Sequence, residues 1–371
     1  MSQDPKQSEK AKIYQKKKES LSLFHLAFTP AVLLITLVMP LSLQFKSWAS
    51  VWTANPYGIL AFYFLWLSLY SLLLDLPFSY YSGFILEHQF ELSNQSRVSW
   101  IKEFTKKSGL SFAFSLILIQ VLYALIWNFP EHWWICAWVG FAAVSYGMGK
   151  IFPVWIIPLF CKYGPVGSES LKTRIMNLAA RYGLPIENVY TLNLSKTTKK
   201  ANAAFMGIGR TRRVVLSDTL IDQFSEDEIE TVVAHELGHF KHRDIWRQLA
   251  LGLATSLAAF WAAFRLMDPL AKIFGLEGAG DIASLPLLFL IFYGVSLMLM
   301  PLQNGFSRWL ERAADRFALQ AGPDKGIFIS CMKKLGQLNL ANPNPHPVYE
   351  WFFYDHPAIH KRVQMARDWK G

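Results

Sequence analysis

Val232-Val233-Ala234-His235-Glu236-Leu237-Gly238-His239-Phe240 is the stretch on which the reading of this chain turns. Residues four apart on an α-helix share a face, so the imidazoles of His235 and His239 can reach one ion. Glu236 projects about 100° round the helix from His235. There it can hold and deprotonate a water without taking a ligand position. His-Glu-x-x-His is a zinc-binding pattern whose mechanical requirement is a helix through the motif. The residues before it supply one: Ser225-Glu226-Asp227-Glu228 is a capping box with acidic residues in the first turn, followed by Ile229, Val232 and Val233 as an apolar stripe. Gly238 costs helix stability, so its presence predicts a close approach to the backbone at that point.

Around this helix the chain is strongly apolar. Of its 371 residues 52% are hydrophobic, 15% aromatic and only 17% charged, with a mean hydropathy of +0.21, whereas globular chains carry about 25% charged residues. Six apolar runs, 21–43, 56–76, 109–127, 133–155, 245–267 and 283–302, each come near the roughly 20 residues needed to cross a bilayer. The net charge of +10 is distributed as a membrane orients it, not as a nucleic-acid surface would need. Lys6, Lys10, Lys12, Lys16, Lys17 and Lys18 precede the first run, and Arg97, Lys102, Lys106 and Lys107 lie between the second and third. The segments after the first, third and fifth runs hold almost no basic residues. This positive-inside pattern places both termini and the segment 162–244 in the cytoplasm. Trp127, Trp133 and Trp134 at a span junction fit an interfacial aromatic belt. Cys136, Cys161 and Cys331 are odd in number and form no C-x-x-C pair, which argues against a disulfide framework or a cysteine metal site.

The organisation that follows is mainly α. Residues 1–20 read as a mobile, solvated lysine-rich cytoplasmic tail, and the first apolar run is too long for a signal peptide, so it is a retained span. Residues 21–160 hold four spans, with an aromatic and polar stretch at 76–90 expected to lie as an amphipathic segment on the cytoplasmic membrane surface. Residues 161–244 read as an α+β domain, with a helix at 168–182, short strands at 188–194, 201–206 and 213–216, and a turn at 207–209, ending in the motif helix. The fifth and sixth spans occupy 245–302, and 303–371 forms a C-terminal cytoplasmic segment. The metal is thus expected at the cytoplasmic boundary of the membrane.

Catalytic zinc normally takes three protein ligands and leaves one position for water. His242 is a poor third ligand, because residues seven apart on a straight helix lie about 10.5 Å apart. Metzincins break the helix and place a histidine ten residues after the first, but here that position is Ile245. The better candidate follows the sixth span. Asn304, Arg308, Glu311 and Asp315 fall on one helical stripe, and a helix leaving the membrane there can meet the motif helix entering it. Glu311 is therefore expected to be the ligand, with Asp315 orienting His235 or His239, or shuttling a proton.

The chain resembles the type I CAAX prenyl protease family of integral-membrane metalloendopeptidases. The likeness takes in Leu76-Pro77-Phe78-Ser79 through Glu87, Ile151-Phe152-Pro153, Asn202-Ala203-Ala204-Phe205, Arg213 to Leu220, the HELGH helix, Ser307-Arg308 to Ala314-Asp315, and His356-Pro357 with Arg362. It implies a polytopic membrane protein with about six transmembrane helices and a small zinc-metalloprotease domain of gluzincin type. It further implies one Zn2+ per chain on His235, His239 and Glu311, Glu236 as general base and Asp315 as a second catalytic acid. Asn202, Ala203, Ala204 and Phe205 would serve as an edge strand for the substrate, His356 would steady an oxyanion, and Arg308 and Arg362 would support the ligands. The implied partners are the lipid bilayer and a membrane-associated, prenylated or unfolded polypeptide, with no nucleic acid. The family's eukaryotic members have a further N-terminal span, so the shorter form points to a prokaryotic inner membrane. A channel or transporter, or a proteolytically silent zinc-binding scaffold, would share the spans or the ligands but leave Glu236 without a role.

Overall fold

The computed structural model describes residues 5–184, 186, 188–207, 213–342 and 344–370. Helix α1 (Pro5–Val38) is followed by α2 (Leu41–Trp52), α3 (Pro56–Tyr80), α4 (Leu86–Gln89), α5 (Arg97–Asn128), α6 (Trp133–Ile151) and α7 (Ile157–Phe160). Among the described residues, six helical stretches are long and apolar enough to cross a membrane: 8–38, 56–89, 97–128, 133–160, 244–273 and 282–321. They coincide with the six apolar runs but differ at their ends. The first span stops at Val38, because Pro40 cannot donate to the preceding turn, and the chain starts afresh as α2. Asn55 caps α3 by accepting from the amides of Tyr57 and Gly58, with Pro56 at the first helical position where a missing N–H costs nothing. Many large apolar side chains on the spans are exposed, Leu73 at 69% and Met298 at 81% among them. Such exposure is lipid contact, since no aqueous surface would leave so much apolar area uncovered.

Two expectations for the membrane-proximal segments fail. The stretch at 76–90 continues α3 through a wide turn at Tyr81–Ile85 into α4 as one unbroken helix, instead of lying as a separate segment. The lysine-rich start is helical from Pro5, and Ala11 and Tyr14 within it are buried. Its apolar residues at helical spacing meet Leu86, Phe90, Leu92 and Leu340 in a small core of their own. The high lysine content had masked that stripe.

Beyond α7 the chain forms β1 (Tyr163–Pro165), α8 (Glu169–Arg181), β2 (Val189–Leu192), β3 (Ala203–Met206) and β4 (Arg213–Ser217). Part of the turn expected between the last two strands lies outside the described residues. Among the described residues the sheet order is β1-β2-β4-β3, so β3 is an edge strand paired with β4, antiparallel, with Ala203 opposite Leu216 and Phe205 opposite Val214. Helices α9 (Asp218–Gln223), α10 (Glu226–Lys241), α11 (Asp244–Ile273), α12 (Leu285–Ala321), α13 (Lys325–Leu338), α14 (Pro347–Phe353) and α15 (Ile359–Arg367) complete the chain. The motif lies on α10, opened by the expected capping box: Ser225 Oγ accepts from the Glu228 amide at 3.3 Å, and Glu228 accepts from the Ser225 amide at 3.1 Å. α12, with 37 residues, is about 55 Å long. A bilayer core is about 30 Å thick, so the end of α12 must leave the membrane. That end packs on α10 over a core that includes Val233, Ala234, Phe317 and Ala318.

Candidate metal centre

His235 and His239 face α12 from the second half of α10, and Glu311 faces back. His235 Nε2 lies 3.3 Å from Glu311 Oε2, His239 Nε2 lies 3.2 Å from Glu311 Oε1, and the two Nε2 atoms are 3.2 Å apart. These three residues form a group able to hold a metal ion. Glu311 Oε2 is buried with no hydrogen-bond donor, and an orphaned carboxylate oxygen at that depth calls for a cation. Each imidazole is fixed from behind. His235 Nδ1 is 2.9 Å from Asp315 Oδ1, and His239 Nδ1 is 3.0 Å from Asp244 Oδ2. A carboxylate on Nδ1 fixes the tautomer with its proton there and turns the Nε2 lone pair inward, the usual way a ligating histidine is oriented. Burial pulls the His239 imidazole down, but Asp244 and Glu311 outweigh it and lift the pKa to about 10. Burial opposes the charge on His235 too, and Asp315 with Glu311 again overcomes it. A field that holds protons so firmly also favours a divalent cation in their place.

The backbone explains how α10 and α12 come this close. A Cβ on Gly238 would stand 2.9 Å from Ala314 Cα and 3.2 Å from Ala314 O. The close approach expected from this glycine is present, and it sits between the two histidines.

Asp315 is fully buried and held by Arg362, whose Nε donates at 2.8 Å and Nη2 at 2.5 Å; Nη2 also lies 3.5 Å from His235 Nδ1. Arg308 does not support the ligands as expected. It sits one turn before Glu311 but points away, donating to the backbone carbonyls of Glu350, Trp351 and Tyr354 at the end of α14. A guanidinium suits that place because it supplies several donors to the orphan carbonyls of a helix end. Glu350 completes the joint, accepting from the Ala358 amide at 3.2 Å and Lys361 Nζ at 2.7 Å. Arg308 thus anchors the loop that carries His356, whose Nε2 is 3.3 Å from Glu311 Oε1 and whose Nδ1 is 2.9 Å from Asp355 Oδ1. Arg308→Met should lower stability by about 2 kcal/mol, as expected for lost bonds to a charged donor. The metal should be retained, so a drop in thermal midpoint with unchanged metal content is the result to look for.

Asp244 is the residue that spacing alone could not find. Five positions after His239, it would lie well round a continuous helix from it. α10 ends at Lys241, however, and Arg243 adopts a left-handed conformation (φ 58°), so the chain re-enters helix with Asp244 folded back against His239. His242 caps α10 and stands outside the ligand group. Asp244→Asn should weaken metal binding by about 10–100-fold, the usual cost of losing such a partner. Equal affinities in a competitive chelator titration would count against that role.

Glu236, next to His235 on the motif helix, turns its carboxylate to β3, where its Oε2 accepts from the Phe205 amide at 3.2 Å. The Asn202 carbonyl accepts from the Ser217 amide, which makes 202, 204 and 206 the residues facing β4 and turns the backbone groups of Ala203 and Phe205 to the free edge. Asn202 itself is exposed just ahead of the strand. Beside this edge a cavity of about 630 Å³ is lined by Leu184, Phe205, His239, Phe240, Ile245 and Trp246 among others. The edge strand, through Phe205, and one ligand, His239, therefore open on one cleft at the start of α11.

Residues 165–370 match peptidase family M48, and residues 2–162 match the CAAX prenyl protease N-terminal region, described as five membrane helices. The chain is 31% identical over 339 residues to an uncharacterized metalloprotease of Bacillus subtilis, YhfN, covering 90% of this chain and 79% of that one. It is 32% identical over 321 residues to CAAX prenyl protease 1 of Saccharomyces cerevisiae, covering 80% and 69%. The crystal structure of S. mikatae Ste24p superposes with a TM-score of 0.88 at 25% identity, covering 99% of this chain and 90% of that one.

Proposed function

The chain belongs to peptidase family M48 and is a membrane-embedded metalloendopeptidase, and from that premise we propose that it is a zinc enzyme using Glu236 as general base on polypeptides presented along β3. The convergence of His235, His239 and Glu311 carries the choice of metal, since two imidazoles, one carboxylate and an open position are the donor set of catalytic zinc. When bound there, zinc acidifies a water and polarises the scissile carbonyl. Glu236 takes the proton of the attacking water and passes it to the leaving amide nitrogen. Its bond to the Phe205 amide supports this role, because it holds the carboxylate against the strand along which a substrate backbone would add. His356 is half exposed and already beside Glu311, from where its ring can turn to a developing oxyanion. Asp315 lies behind His235 with both oxygens engaged by Arg362, so we assign it the orientation of that ligand and not the delivery of a proton.

The substrates are membrane-associated, prenylated or unfolded polypeptides, taken from the cytoplasmic face of a prokaryotic inner membrane with both termini on that side. Two observations support this side: the lysine-rich distribution, and the packing of the start of α1 against the run-in to β3 and the end of α13, where Tyr14 meets Lys200 and Gln15 meets Leu340. A channel or a silent scaffold is not favoured in a chain of this family. The test is bound metal measured alongside chelator-reversible cleavage of a prenylated and an unprenylated peptide. Stoichiometric zinc with cleavage restored by zinc supports the assignment; full activity after complete metal removal overturns it. Cleavage of both peptides would detach the enzyme from strict prenyl recognition.

A further inference from the structure

Tyr14 is fully buried in a segment whose sequence reads as solvated. Its hydroxyl donates to Glu87 Oε1 at 2.5 Å and accepts from Lys200 Nζ at 3.0 Å, while Lys200 Nζ lies 2.7 Å from Glu87 Oε2. One phenol, one carboxylate and one ammonium thus close a triangle among three distant parts of the chain: the start of α1, the end of the α3–α4 helix, and the residue three places before β3. The run-in to β3 is held all along its length. The Leu92 carbonyl accepts from the Lys199 amide, Asn94 donates to the Thr197 carbonyl, and Asn339 clasps both backbone groups of Ala201 at 3.2 and 3.3 Å. Thr219 adds a bond to the Lys200 carbonyl at 2.8 Å.

We propose that the start of α1 is a positioning element for the reaction: the Tyr14–Glu87–Lys200 triangle fixes the register of β3 against Glu236, and with it which peptide bond of the substrate meets the metal. This rests on the reading that β3 takes the substrate backbone. The physical reason is reach. Three residues of extended chain span about 10 Å with little slack, so a displaced Lys200 moves Ala203 and Phe205, whose outward backbone groups form the free edge. A strand read by its backbone is sensitive to such a shift, because a slip of one residue turns every side chain of the added strand to the opposite face. None of the three residues is a metal ligand, and Lys200 connects the triangle to the run-in to β3. Opposite charges at this distance, partly withdrawn from water, resist sliding more than an apolar contact would, since removing either leaves the other unpaired.

The experiment uses the full-length protein in detergent, with a peptide offering several scissile bonds. The variants are Tyr14→Phe, Glu87→Gln, Lys200→Met and, as the conservative partner, Lys200→Arg. For the first three we expect unchanged metal content, a KM raised about tenfold with kcat little altered, and cleavage at neighbouring bonds, a size within the range of couplings between contacting residues. Lys200→Arg should restore most of the wild-type cleavage pattern. Hydrogen exchange supplies a readout independent of catalysis: the amides of 204 and 206, which face β4, should lose protection in the variants while those of α10 do not. Variants that keep full metal, cut the same bonds and show KM within about twofold of wild type overturn the proposal, as does a loss of activity that only follows loss of metal or of thermal stability. Failure of the wild type to cleave any peptide would count against the function itself, and the exchange result would still decide whether the triangle holds β3.

Discussion

Glu236→Gln is expected to keep its full metal content and to lose about 10²–10⁴-fold in kcat, the usual contribution of a positioned general base. The amide is nearly the same shape as the carboxylate, and its oxygen can still accept from the Phe205 amide, which now bonds Glu236 Oε2 at 3.2 Å. What it cannot do is take a proton. KM should therefore stay within about threefold of wild type, since binding is retained while transition-state stabilisation is lost. Glu236→Ala separates the two roles. It removes the base and also frees the Phe205 amide, so the edge strand loses its tether and substrate affinity should fall as well. Metal analysis beside steady-state kinetics reads both. A Glu236→Gln enzyme with near wild-type kcat would remove Glu236 from the chemistry altogether.

Gly238→Val should be the most damaging substitution that touches neither a ligand nor the substrate. A Cβ there would meet Ala314 Cα at 2.9 Å, Ala314 O at 3.2 Å and Phe317 Cβ at 3.2 Å. Two of these atoms are backbone and cannot rotate aside, so α10 and α12 must part. The histidines flank Gly238 on one helix, and Glu311 lies one turn before Ala314 on the other. Any parting therefore opens the metal site directly. Overpacking of this kind costs about 1–3 kcal/mol, and a shift near 1 Å at a reacting centre can cost about 10²-fold in rate. We expect substoichiometric metal, activity below about one hundredth of wild type and a lowered thermal midpoint. Gly252→Ala on α11 is the matched control, because a Cβ at Gly252 meets nothing within 4 Å. A Gly238→Val protein with full metal and more than half its activity would mean that the helices yield without disturbing the site.

The parts of this molecule that were legible beforehand are those in which neighbours along the chain decide the outcome. Apolar length marked the six spans, helical spacing put His235 and His239 on one face, and the capping box fixed where α10 begins. Glu311 follows less directly, from the stripe 304, 308, 311 and 315 together with one helix entering the membrane where another leaves it. Arg308 shows the limit of that route. A shared stripe says which residues lie on one face but not how long side chains on it turn, and Arg308 turns to the carbonyls of α14.

By itself, then, the sequence determined a membrane protein with a metal-binding helix pair, because hydropathy and helical periodicity are properties of short segments. The tertiary structure alone decided that Arg243 breaks the helix and folds Asp244 onto His239. It alone decided that Tyr14 is buried against Glu87 and Lys200, and that the Phe205 amide of β3 meets the Glu236 carboxylate. These contacts join residues that no periodicity connects: a left-handed residue resets the angular count, and the docking of one segment on another is fixed by the shape of the whole, not by either sequence alone.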